Sequence, residues 1–148
     1  MAPLQHLLVA IGPNDRDYVD RFFDVVEPIA GPTEATVTLL HAFPRGEYEV
    51  LIDQFGGSGD LEPDMLAKRH GDIQTPAAEF ENVGIETRVR GTIGDPETEV
   101  VRVAKEVGAD LLFIGGAGRS PAGKAIFGDS AQQILLNSPC PVTYIQRE

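Results

Sequence analysis

The chain has 148 residues, 42% of them hydrophobic, which fits one soluble domain with a sizeable core. With 23 acidic and 12 basic residues its net charge is −11, which argues against non-specific binding to nucleic acid or to anionic membranes. A single cysteine, Cys140, excludes an intramolecular disulfide framework, and no apolar run reaches the roughly 20 residues that span a bilayer.

Leu7 to Ile11 is a short continuous apolar run, the pattern of a strand buried on both faces. Gly12-Pro13-Asn14-Asp15 breaks it. Tyr18, Val19, Phe22, Phe23, Val26 and Ile29 then recur at helical spacing, and Gly31-Pro32 is expected to stop that helix. Ala35 to Ala42 reads as the second strand, rich in β-branched residues. Glu47 to Phe55 suggests a short helix, and Gly56 to Asp60 a glycine-rich loop. A weaker helical stretch runs from Pro63 to Phe80, with an interruption expected at Pro76.

Ile85 to Val89 alternates and reads as the third strand, at a sheet edge. Gly94-Asp95-Pro96-Glu97 is a helix start, with Asp95 placed to cap and Pro96 in the first position. Val100, Val103, Ala104 and Val107 give the apolar stripe, and Gly108 ends it. Asp110 to Ile114 is the fourth strand, a helix follows from about Ser130 to Leu136, and Pro141 to Gln146 is the last strand. The alternation implies a parallel sheet with helices on both faces. No internal repeat or second domain is evident, so residues 1–148 read as one domain.

Ligands of such sheets bind beyond the C-terminal strand ends, where the strand order reverses. Two loops qualify: Gly12 to Asp15, and Gly115 to Ser130. The second holds Gly115 and Gly118, then nine residues, then Gly128-Asp129-Ser130. Glycines between a strand and a helix can present backbone N–H groups to an anion such as phosphate.

With this spacing, and with the Leu7–Ile11 run, Ala35–His41, Gly94-Asp95-Pro96 and Pro139-Cys140-Pro141-Val142, the chain resembles the universal stress protein family over essentially its full length. The acidic, lysine-poor composition is similar to that of a single-domain archaeal member. The resemblance implies an open five-stranded parallel sheet in the order 3-2-1-4-5, doubly wound and adenine nucleotide α-hydrolase-like. It implies a homodimer formed through the last strand, Val142 to Ile145. The single cysteine makes a cytoplasmic location the default, and the acidic charge leaves no nucleic-acid or membrane partner expected. It also implies a stress-response or regulatory role through ligand sensing or partner binding, with ATP or another adenine nucleotide and Mg²⁺ as the ligand.

Carried over by position, Ala10, Ile11, Gly12 and Ala42 would line the adenine and ribose. Ile114, Gly115 and Gly118 would lie along the ribose and phosphates. Gly128, Asp129 and Ser130 would offer backbone N–H groups and a hydroxyl to the phosphates. Three positions depart from the nucleotide-binding pattern. Gly12 stands where the first loop usually carries an Asp, Ala117 where binders often have Arg, and Asp129 where the motif has Ser or Thr. A carboxylate beside a triphosphate costs on the order of 1 to 4 kcal/mol, unless Arg119 or Mg²⁺ compensates. Asp129 is equally suited to cap the last helix, which leaves a nucleotide-independent dimeric interaction module as the alternative.

A slow ATPase is a further alternative, because Gly118 to Ala125 nearly matches the phosphate-loop pattern; Ala125, however, replaces the Mg²⁺-binding hydroxyl. His6, His41 and His70 show no metal-ligand spacing, and no catalytic triad pattern is present. Neither catalytic residues nor a metal site are expected. His41, at the end of the second strand, reads as structural, and Cys140 as a small packed hydrophobe.

Overall fold

The computed structural model describes residues 4–54, 62–116, 118–119, 125–126 and 129–147. The expected loop at Gly56 to Asp60 lies outside these residues, as do Ala117, Lys124 and Gly128. Five strands form one parallel sheet: β1 (His6–Ala10), β2 (Thr36–Phe43), β3 (Thr87–Ile93), β4 (Leu111–Gly116) and β7 (Val142–Gln146). Their spatial order is β3-β2-β1-β4-β7, the order implied by the family resemblance. A two-residue pair, β5 (Gly118–Arg119) and β6 (Ala125–Ile126), is antiparallel and separate.

The apolar run of β1 is buried on both sides because helices cover both faces. Leu7 and Val9 face one core with Phe22, Val26, Phe80 and Phe113, beneath α1 (Val19–Thr33) and α4 (Gly71–Asn82). Leu8 faces a second core with Val100, Val103, Leu112 and Ile134, beneath α5 (Pro96–Val107) and α6 (Asp129–Asn137). Among the described residues no helix is long and apolar enough to cross a membrane.

Local structure departs from the sequence reading in four places. Helix α1 passes through Gly31-Pro32 and ends at Glu34, whose φ of 56° is left-handed. Pro28 and Pro32 both lie inside the helix, and the Thr33 hydroxyl donates to the Ile29 carbonyl at 2.6 Å. The stretch after Pro63 breaks at His70, not at Pro76. There α3 (Pro63–Arg69) gives way to α4, with His70 extended at φ −73°, ψ 127° and its Nδ1 accepting the Asp72 N–H at 3.3 Å. Pro76 lies inside α4.

Strand β3 occupies the expected edge but runs on to Ile93, because β2 pairs with it as far as Phe43↔Ile93. Gly91 allows this. A Cβ there would collide with the Pro63 carbonyl, and its N–H donates to Asp64 Oδ1 at 2.7 Å. Finally, Asp95 is the N-cap of α5 by position, and its carbonyl accepts the Thr98 and Glu99 N–H groups. Its side chain makes no capping bond. The other expected boundaries hold to within a few residues, including Gly108 at φ 64° after α5. The helix expected at Glu47 is α2 (Arg45–Gln54).

Candidate functional site

The chain order reverses between β1 and β4, and a cleft of about 430 Å³ opens there beyond the strand ends. The seven predicted residues Ala10, Ile11, Gly12, Ala42, Ile114, Gly115 and Ser130 all line it. Leu40, Val100 and Ile134 add apolar walls. Gly118 and Arg119 form β5, paired with Ile126 and Ala125, and the side chain of Arg119 lies outside the described residues. Asp129 opens α6, and its carboxylate lies outside the described residues, so neither its phosphate-side nor its capping role is visible.

Sequence reasoning missed the strongest electrostatic feature of the cleft. Six residues, Pro13–Tyr18, form a 3₁₀ helix after β1, and Gly12 is its N-cap. Asp15 sits three positions later and reaches back, so that its Oδ2 accepts the Gly12 N–H at 2.8 Å. Its Oδ1 accepts from Arg147 Nη1 at 2.8 Å. Asp15 is 4% exposed, so this is an ion pair with one partner nearly out of water. Position 12 carries no carboxylate, yet the carboxylate of Asp15 stands beside it.

Each element supplies its residue for a local reason. Arg147 follows β7, and its N–H extends the ladder by donating to the Gly116 carbonyl at 2.9 Å. It therefore arrives at the same sheet end as Gly12 and Gly115. The general rule for parallel sheets would have found it, since the residue after any strand's C-terminal end borders the cleft. Asp15 carried a weaker signal, an acid three residues after a helix-starting Gly.

A second carboxylate, Glu97, touches a residue of the cleft lining. Ser130 at the start of α6 donates its hydroxyl to Glu97 Oε2 in the first turn of α5, at 2.9 Å. That hydroxyl is engaged within the protein rather than pointing free into the cleft.

Elsewhere, Cys140 packs against the second core, and burial pushes its thiol above the ordinary range, so it is no activated nucleophile. His41 is fully buried, with Nδ1 2.9 Å from the carbonyl oxygen of Ile11. Burial, reinforced by His41, holds the pKa of His70 below its ordinary value.

In doubly wound α/β sheets, ligands bind at a switch point such as this one. The chain belongs to the universal stress protein family, whose model matches residues 3–146. It is similar to a universal stress protein of Mycolicibacterium smegmatis, 32% identical over 90 residues, covering 60% of this chain and 69% of that one. Its fold is shared with a universal stress protein solved in complex with cAMP. That pair has a TM-score of 0.69 and 19% identity, covering 99% of this chain and 100% of the other. A universal stress protein from Archaeoglobus fulgidus in complex with dAMP has a TM-score of 0.66 and 19% identity, covering 98% and 100%.

Proposed function

We propose that this universal stress protein binds an adenine nucleotide in the β1/β4 cleft and acts as a sensor or regulatory module, not as a turnover enzyme. The observation that carries this reading is an apolar cleft of about 430 Å³ at the strand-order reversal, with Ser130 and Arg147 among its polar lining. That volume suits a small nucleotide, and the apolar walls suit a base. The relatives in complex with cAMP and dAMP support the ligand class. The base and ribose would lie against Ala10–Gly12, Ala42, Asp15 and Ile114. The phosphates would lie toward Gly115 and α6, with Mg²⁺ as the counter-ion of ATP.

Calorimetric titration with ATP, AMP and cAMP, each with and without Mg²⁺, tests this. Micromolar affinity for at least one is expected. No heat at millimolar nucleotide, with the fold intact by circular dichroism, sinks the reading.

A nucleotide-independent module is the second reading, and one contact favours it: Glu97 already holds Ser130. Glu97→Gln removes a charge near the phosphates and loosens that hydroxyl. It is expected to tighten nucleotide binding by roughly threefold to tenfold. Unchanged affinity would place the phosphates away from Ser130.

The assembly belongs to the same proposal. One edge of β7 pairs with β4, and among the described residues the other pairs with no strand. An edge strand of this kind invites a second copy, so a homodimer through Val142 to Ile145 in the cytoplasm is the expected state. Sedimentation equilibrium should give roughly twice the chain mass of 15.9 kDa. A monomer at micromolar concentration would exclude it.

A further inference from the structure

Residues that show no ligand spacing along the chain converge next to Ile11, whose carbonyl is in contact with His41. His41 comes from β2, Glu47 from the first turn of α2, and His70 from the junction of α3 and α4. The imidazole nitrogens and the carboxylate oxygen of this trio lie within 4.8 Å of one another. Glu47 Oε1 is 3.6 Å from His41 Nε2 and 3.7 Å from His70 Nε2.

These distances are too long for hydrogen bonds. They are close to the separation of two ligand atoms on one tetrahedral ion. Metal–ligand bonds of about 2.0–2.1 Å place such atoms roughly 3.3–3.5 Å apart.

Proton placement makes the same point. The Ile11 carbonyl can only accept, so the His41 Nδ1, 2.9 Å away, must carry the proton. In the neutral ring this leaves a lone pair on Nε2. That atom is buried without a hydrogen-bond partner, and the residue is 0% exposed. The lone pair faces Glu47 Oε1, which is also an acceptor. Two acceptors turned toward each other with no donor between them call for a cation.

His70 repeats the pattern one step out. Its Nδ1 is 3.7 Å from Asp72 Oδ2, another buried atom without a hydrogen-bond partner. The other Asp72 oxygen is held by Arg16 Nε at 3.1 Å. At present Nδ1 takes a long 3.3 Å bond from the Asp72 N–H. Exchanging it for donation to Asp72 Oδ2 would free Nε2 and form a carboxylate–imidazole–metal relay.

We propose that His41, Glu47 and His70 form a site for one zinc-type divalent ion, with Ile11 and Asp72 orienting the two imidazoles. Two imidazoles and a carboxylate suit Zn²⁺ and its neighbours Co²⁺ and Ni²⁺ better than Mg²⁺ or Ca²⁺. Glu47 is 34% exposed and His70 18%, so the ion has a route in from solvent. Bound there, it would pin α2 and the α3–α4 junction to the central sheet.

The chelator-treated full chain is titrated with Zn²⁺, and with Co²⁺ followed by its visible absorption. One equivalent is expected to bind without nucleotide, to give the intense spectrum of a tetrahedral site, and to raise the thermal midpoint. Glu47→Gln, at a half-exposed position, should leave the metal-free midpoint unchanged while weakening binding by at least about tenfold. Asp72→Asn should weaken it less. The absence of stoichiometric Zn²⁺ and Co²⁺ binding overturns the site. So does equal affinity in the wild type and Glu47→Gln, which would put the ion elsewhere on the acidic surface.

Discussion

Replacing Asp15 with alanine is expected to destabilise the fold by about 2 to 4 kcal/mol and to weaken nucleotide binding by at least about tenfold. Two bonds are lost at once. The Gly12 N–H loses its 2.8 Å acceptor, and Arg147, only 19% exposed on its side chain, loses its counter-charge. The cost is set below that of a fully buried pair because Arg147 can turn partly into water. Asp15→Asn separates the contributions, since its carbonyl can still accept from Gly12 while the ion pair is gone. It should cost about half as much. Urea unfolding read by circular dichroism measures both variants. If both lie within about 0.5 kcal/mol of the wild type, the pair is an ordinary surface contact and does not organise the cleft.

The second large effect is expected at Gly115, and its sign is the informative part. Glycine inside a strand is normally a weakness, and alanine there gains about 0.5–1 kcal/mol. At Gly115 the opposite is expected, a loss of about 1 to 3 kcal/mol from overpacking. A Cβ would collide with Asp15 Oδ1 and approach Phe22 Cζ to 3.0 Å. Asp15 is pinned by Gly12 and Arg147, and Phe22 is fully buried, so neither can step aside. Nucleotide affinity should fall as well, because the displaced carboxylate enters the cleft. Thermal unfolding of Gly115→Ala gives the sign directly. In an Asp15→Ala background the penalty should shrink, because the obstacle has been removed. A stabilised Gly115→Ala would mean that the glycine is there for the ligand alone.

What could be read from the sequence was whatever is written locally. The apolar run of Leu7–Ile11 marks a strand buried on both faces, Gly94-Asp95-Pro96 marks a helix start, and alternating elements imply a parallel sheet. The glycine spacing after Ile114 pointed to the C-terminal end of that sheet, and seven of the named residues line one cleft there. What was not legible depends on closure between distant segments. Arg147 looks like a terminal surface charge until β7 docks beside β4. The break at His70 arises because its ring caps α4, while Pro76 is absorbed into that helix. His41 and His70, 29 positions apart, become stacked at 4.6 Å only when β2 and the α3–α4 junction meet. No spacing rule anticipates such a meeting.

The contact between Asp15 and Arg147 spans 132 positions of a 148-residue chain. During synthesis, Arg147 leaves the ribosome 132 residues after Asp15, so nearly all of this domain has to be made before the two side chains can meet. Closing so long a loop also comes late in a parallel sheet, after the local helices and neighbouring strand pairs have formed. The cleft is thus among the last features of the domain to mature, and a nucleotide bound there would reward only chains already made through Arg147 and correctly folded.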